Sequence, residues 1–177
     1  LSSSSAASDV YKRQPFFRYF AQHIAEQITR FPFALLIALI FFILNPESFW
    51  IPTLGTALLA GFATFLSFLI QFLMQSIIAT ICFWTEKASS IEKLLFIPTL
   101  FLSGLLAPVE SFPQYVKTWV YLTPFPYLIN FPANLLSGNP ANIGSGIFVQ
   151  ILWVFLFFWI FRKTWKSGTK KFTAMGI

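Results

Sequence analysis

LGTALLAGFATFLSFLIQFLMQSIIATICFW, residues Leu54–Trp84, holds no charged side chain over thirty-one positions. A transmembrane helix needs only ~20 apolar residues, so a helix of this length must tilt or protrude. The whole chain agrees with its central run. Of its 177 residues, 56% are hydrophobic and only 10% charged, whereas soluble domains carry about 25% charged residues. A soluble core of this size cannot hide that much apolar surface, but lipid accepts it on the outside of the fold. The sequence therefore predicts an all-α, polytopic helical membrane protein.

Upstream of the run, NPESFWIP (Asn45–Pro52) reads as a turn with Trp50 at the interface. Before it, Phe31–Leu44 is apolar apart from Pro32 but short for a span, and the preceding helix can extend it. That helix, Pro15–Arg30, is amphipathic: Phe17, Phe20, Ala21, Ile24 and Ile28 recur at helical spacing, with Arg18, Gln22, Glu26 and Arg30 largely on other faces. LSSSSAASDVYKRQ (Leu1–Gln14) shares nothing with the rest of the chain and lacks the apolar core of a signal peptide. It resembles translated sequencing-adapter read-through, and residues 1–14 are expected to be a non-native tail.

Downstream, TEKASSIEK (Thr85–Lys93) is a charged loop, and Leu94–Val109 is apolar with Pro98 inside and Pro108 near its end. Glu110–Pro140 is aromatic-rich and broken by Pro113, Pro124, Pro126 and Pro132, which excludes a straight spanning helix and predicts two short interfacial or re-entrant ones. Ile143–Phe161 is a clean span, followed by the basic tail RKTWKSGTKKF (Arg162–Phe172). About four spans result, near 31–45, 55–84, 93–109 and 143–161. Arg18 and Arg30, Lys87 and Lys93, and the tail would all lie on one side, leaving Lys117 alone on the other. The positive-inside rule makes the amphipathic helix, the Thr85–Lys93 loop and the C-terminus cytoplasmic, and Glu110–Pro140 external.

The net charge of +6 is no sign of nucleic acid, because five of the twelve Lys and Arg residues crowd into the last sixteen positions beside an apolar run. The lone cysteine, Cys82, permits no disulfide framework. His23 is the only histidine, no P-loop is present, and nothing near Ser103-Gly104 can activate the serine. No catalytic residue and no metal site is expected.

Gly61, Thr64, Ser67, Gln71 and Gln75 fall within an arc of about 120° at 100° per residue. A polar stripe on a lipid-embedded helix must face protein, water or substrate. Helix packing and the lining of a translocation path are both open readings. The amphipathic helix could lie on the membrane surface, dock on a partner or begin the next span, and periodicity alone ranks the surface first. The basic tail reads as a topology anchor.

FWTEKASSIEKLLFIPTLFLSGLLAPVESFPQYVKTWVYLTPFPYLINFPANLLSG (Phe83–Gly138) resembles the signature stretch of ABC-2 type permeases. The matching elements are Phe83–Glu86, Leu102–Gly104, Pro108, Phe112-Pro113, Pro124–Tyr127, Phe131-Pro132 and Gly138, and the ending WKSGTKKFTAMGI is similar too. The sequence departs at Pro126, where family members often carry a basic residue. The resemblance implies a dimeric six-span permease of an ATP-driven exporter, of which this chain would hold the last four spans. On its own, such a fragment would be inactive. ATP and Mg would bind a separate ABC ATP-binding subunit, and this chain would hold no cofactor of its own. The partners would be that subunit, a second permease subunit and the bilayer of the inner (plasma) membrane, with no nucleic acid. Phe17, Arg18, Phe20, Ile24, Glu26 and Arg30 would then form the ATPase-coupling helix. Pro108, Phe112, Pro113, Pro124, Tyr127, Phe131 and Pro132 would form the external re-entrant motif. The competing readings are a non-transporting membrane scaffold or assembly factor, and a membrane enzyme with catalytic groups elsewhere.

Overall fold

The structure, a computed structural model, describes the backbone of residues 2–48, 51–85, 88–138 and 143–174, and side chains within 18–47, 51–85, 90–138 and 143–170. Trp50, Glu86 and Lys87 lie outside the described residues. Among the described residues, the α-helices run in the order α1 (Ser2–Leu44), α2 (Leu54–Ile81), α3 (Ala88–Leu102), α4 (Gln114–Val120), α5 (Asn130–Leu136) and α6 (Ile143–Ala174). Short 3-10 turns occupy Pro46–Ser48, Val109–Ser111 and Phe125–Tyr127. Among the described residues, three helices are long and apolar enough to cross a membrane: Arg18–Leu44, Leu54–Ile81 and Ile143–Lys170. The molecule is all-helical and multi-pass, with two units, Leu1–Ile51 and Pro52–Ile177.

Within the first unit, the amphipathic stretch and the apolar stretch are one helix of 43 residues with no break between them. The helix continues through Pro32, which lies inside it. Glu26 and Arg30, one turn apart, form an ion pair that lowers the cost of charge near the membrane edge.

In the second unit, Thr53 caps α2, its side chain accepting from the Thr56 amide at 3.3 Å. This satisfies one of the orphan donors at a helix start. α6 packs along α2, and α5 lies against it as well. The seam uses small residues: Ala60, Ala63 and Ser67 are buried at successive turns of α2, with Leu135, Phe131 and Ile143 against the alanines. Small side chains let helix backbones approach closely where lipid supplies no hydrophobic drive for association. α6 has 32 residues, so the basic tail continues the helix past the apolar run. Near its end Thr80 donates to Thr164 at 3.1 Å, and Phe83 meets Trp165 edge-on at 6.0 Å between ring centres. Gly168 makes this close approach, since a Cβ there would sit 2.2 Å from the Phe83 ring.

The run expected to span near 93–109 is helical only over Ala88–Leu102, 15 residues. That gives about 22 Å of helix against a hydrocarbon core of about 30 Å. Its end is local in origin: Gly104 takes φ +88, a left-handed conformation that turns the chain out of the helix.

Candidate functional site

The polar stripe of α2 straddles the boundary of its packed face. Ser67 is buried, Gln75 half-buried, and Gly61, Thr64 and Gln71 are exposed. Thr64 returns its hydroxyl to the Ala60 carbonyl at 2.8 Å, and a Cβ at Gly61 would meet nothing within 4 Å. The Gln75 side-chain carbonyl is buried without a hydrogen-bond partner among the described residues. One member thus belongs to helix packing, while three face away from the chain's own core.

Ser67 joins a buried cluster centred on Gln150 of α6. Gln150 is 0% exposed, and its Nε2 donates to Ser67 Oγ at 3.0 Å, to the Tyr127 carbonyl at 2.9 Å and to the Ala63 carbonyl at 3.1 Å. Ser67 Oγ in turn lies 2.7 Å from the Tyr127 carbonyl and 2.9 Å from that of Ala63. Two carbonyls can only accept, so the amide must turn its NH2 toward them. Two helices and the Phe125–Tyr127 turn are therefore pinned at one point. Gln150 is not among the residues that sequence pattern singles out, although a signal is present: it is the one side-chain amide inside the apolar run 143–161.

A second polar cluster holds the loop segment. Glu110 Oε1 accepts from Asn134 at 2.7 Å, Asn130 at 3.0 Å and Tyr121 at 3.3 Å. Burial pushes the Glu110 carboxyl up, but hydrogen bonds from Asn130, its own backbone, Asn134 and Tyr121 outweigh it and hold the group below its ordinary 4.5. Burial, then the charge of Glu110, pushes the Tyr121 phenol up, and burial does the same to Tyr127. The Asn130 backbone N–H donates to the Ser103 carbonyl at 3.0 Å, and a Cβ at Gly104 would come within 3.0 Å of the Asn130 side chain. The Leu102–Gly104 motif therefore docks on the residue just before Phe131-Pro132.

The motif residues of this segment divide by burial. Pro124, Tyr127 and Pro132 are buried, Phe112 and Phe131 half-buried, and Pro108 and Pro113 exposed. Pro108 and Pro113 instead start the Val109–Ser111 turn and α4. The Tyr127 hydroxyl donates to the Tyr121 carbonyl at 3.1 Å, and its ring lies 5.9 Å from that of Phe131. Phe131 fits where α6 lacks a side chain, because a Cβ on Gly146 would stand 2.0 Å from the ring. Pro126, where the sequence departs from its family pattern, is fully buried.

The coupling-helix residues all lie on α1, where Arg18, Ile24, Glu26 and Arg30 are exposed and Phe20 is half-buried. Phe17 is described by its backbone alone.

Three membrane-length helices, with an internally pinned, proline-rich loop, define a multi-pass membrane protein. Residues 14–176 match the family described as ABC-2 family transporter protein, and the chain belongs to that family. No curated protein and no solved structure matches the chain.

Proposed function

We propose that this chain is the permease subunit of an ATP-driven exporter, forming a substrate path as a dimer and coupled to a separate ATP-binding subunit. The observation that carries the reading is the division of α2. One face is closed on α5 and α6, while Gly61, Thr64 and Gln71 stay exposed beside it. A polar row left open on a membrane-length helix suits a water-filled path or a second permease subunit better than it suits lipid.

Coupling is assigned to the first part of α1, through Phe17, Arg18, Phe20, Ile24, Glu26 and Arg30. Its continuity with the apolar stretch supports this role, since a push on the charged part moves one rod rather than a jointed pair. ATP and Mg bind on the partner subunit, and the chain itself is not the ATPase. The C-terminus and the charged part of α1 face the cytoplasm, which the charge distribution supports.

The test is purification of the tagged full-length protein from its native membrane in mild detergent. An ABC-type ATP-binding subunit should co-purify, and reversing the charges of Arg18, Glu26 and Arg30 should release it. An intact, folded protein that brings down no such subunit would overturn the reading and favour a membrane scaffold.

A further inference from the structure

We infer that the outward face of α6 at its basic end is a binding site for the headgroup of an anionic phospholipid. Phe155, Trp159, Arg162, Lys163, Lys166 and Lys170 all fall within an arc of about 100° on this helix. Phe155 and Trp159 are 69% and 61% exposed, as expected of side chains that meet acyl chains rather than protein. Arg162, Lys163 and Lys166 are exposed on the same face, where the apolar run gives way to water. One surface thus passes from aromatic to cationic along the direction in which a lipid passes from tail to headgroup.

The opposite face of the same segment is occupied by protein. With Phe155 at zero on the helical wheel, Phe161, Thr164, Trp165 and Gly168 lie between about 180° and 280°, and the last three meet Thr80 or Phe83. This packing fixes the rotation of the helix and therefore holds the cations outward. Two of them also lean back along the aromatic surface. The Arg162 guanidinium lies 6.0 Å from the Phe158 ring centre, and Lys163 Nζ lies 5.2 Å from that of Trp159. Cation–π contact keeps both charges near the aromatic belt instead of trailing into solvent.

No acid occurs anywhere in α6. Among the described residues, Arg162, Lys163 and Lys166 form no ion pair. Complementing the helix dipole does not account for the cluster, because that effect fades beyond the last turn. Arg162 and Lys163 sit about three turns before Ala174. A lipid phosphate supplies the missing negative charge, and arginine can grip it with two parallel donors. The inference rests on α6 crossing the bilayer and not on ATPase pairing, so failure of co-purification would leave its readout unchanged.

Native mass spectrometry of the full chain, released from micelles holding equal phosphatidylglycerol and phosphatidylethanolamine, tests it. The wild type should retain phosphatidylglycerol preferentially, and Lys163→Gln or Lys166→Gln should each cut that preference about five-fold. Combining both with Arg162→Gln should abolish it, while Lys117→Gln should change nothing. Should the triple variant fail to assemble, the two single variants still decide. Equal retention of the two lipids by the wild type, or an undiminished preference in the single variants, would overturn the inference. Displacement by soluble glycerol phosphate at the same concentration as the lipid would also overturn it, by making the site one for a free anion.

Discussion

The Gln150 and Glu110 clusters do the same mechanical job with opposite chemistry. Gln150 ties the segment between α3 and α6 to the two long helices, and Glu110 ties the start of that segment to α5, each through a side-chain amide. Gln150 is wholly buried and donates to carbonyl and hydroxyl oxygens, so no proton is gained or lost across any pH of interest. Glu110 is exposed and accepts from two asparagines and a tyrosine, so its grip depends on its charge. A buried neutral pin is costly to break because it strands its partners away from water. An exposed charged one is screened and replaceable. The loop should therefore be firmly held at its Tyr127 end and adjustable at its Glu110 end.

The largest effect is expected at neither polar cluster but at the contact between Phe131 and Gly146 of α6. Gly146→Ala would drive a methyl group into the Phe131 ring, and should destabilise the fold by about 1–3 kcal/mol. Thermal unfolding in detergent measures this, and Phe131→Leu in the same chain should restore part of the loss as a coupled pair. Additive losses would show that the two residues do not oppose each other. Next comes Gln150→Leu, expected to cost about 1–2 kcal/mol. Ser67→Ala should add little on top of it, because both changes dissolve the same cluster.

Glu110→Gln should cost less, below about 1 kcal/mol after solvent screening. Its signature is pH dependence. The folded carboxyl binds its proton more weakly than the unfolded one, so its contribution is complete above the ordinary 4.5 and disappears as pH falls through the depressed folded value. Wild type should lose stability over that acid window, and both Glu110→Gln and Gln150→Leu sharpen the comparison. The first should flatten this dependence and the second should leave it intact. Smallest of all, Gly61→Leu should leave unfolding of the single chain within about 0.5 kcal/mol, since a Cβ there meets nothing within 4 Å among the described residues. It should nevertheless weaken the assembled complex, read as a shift toward smaller species on size-exclusion chromatography.

Much of this architecture is legible in the sequence because burial in lipid is a local property of a run. The charge-free stretch 54–84, the apolar run from 143 and the proline-broken segment 110–140 each announce themselves without reference to any partner. The half-polar, half-apolar stretch before Phe31 is legible too, but its fusion with the adjoining apolar run into a single helix depends on how Pro32 is tolerated. The pairings are not legible. Asn130 and Asn134 find Glu110 across 20 and 24 residues, and Gln150 finds Ser67 across 83, distances at which no spacing rule operates. α3 likewise ends at one glycine, Gly104 with φ +88, and the close fit of that glycine beside Asn130 is a long-range contact that no spacing rule reveals. Polar stripes report that a helix face is not lipid-facing, but only the fold divides Ser67, which is spoken for, from Gln71, which is not.

That division is where the permease reading is most directly tested. Cysteine can be placed at Gln71 in a Cys82→Ser background of the full-length protein, assembled with its ATP-binding subunit in membrane vesicles. Labelling by a membrane-impermeant maleimide is then followed with and without ATP. A path-lining position should label, and its rate should change when ATP is added, whereas a cysteine at Leu58 should stay inert in both states. A cysteine at Gln71 that behaves like the one at Leu58, with ATP present or absent, would contradict the assignment of this face to a transport path.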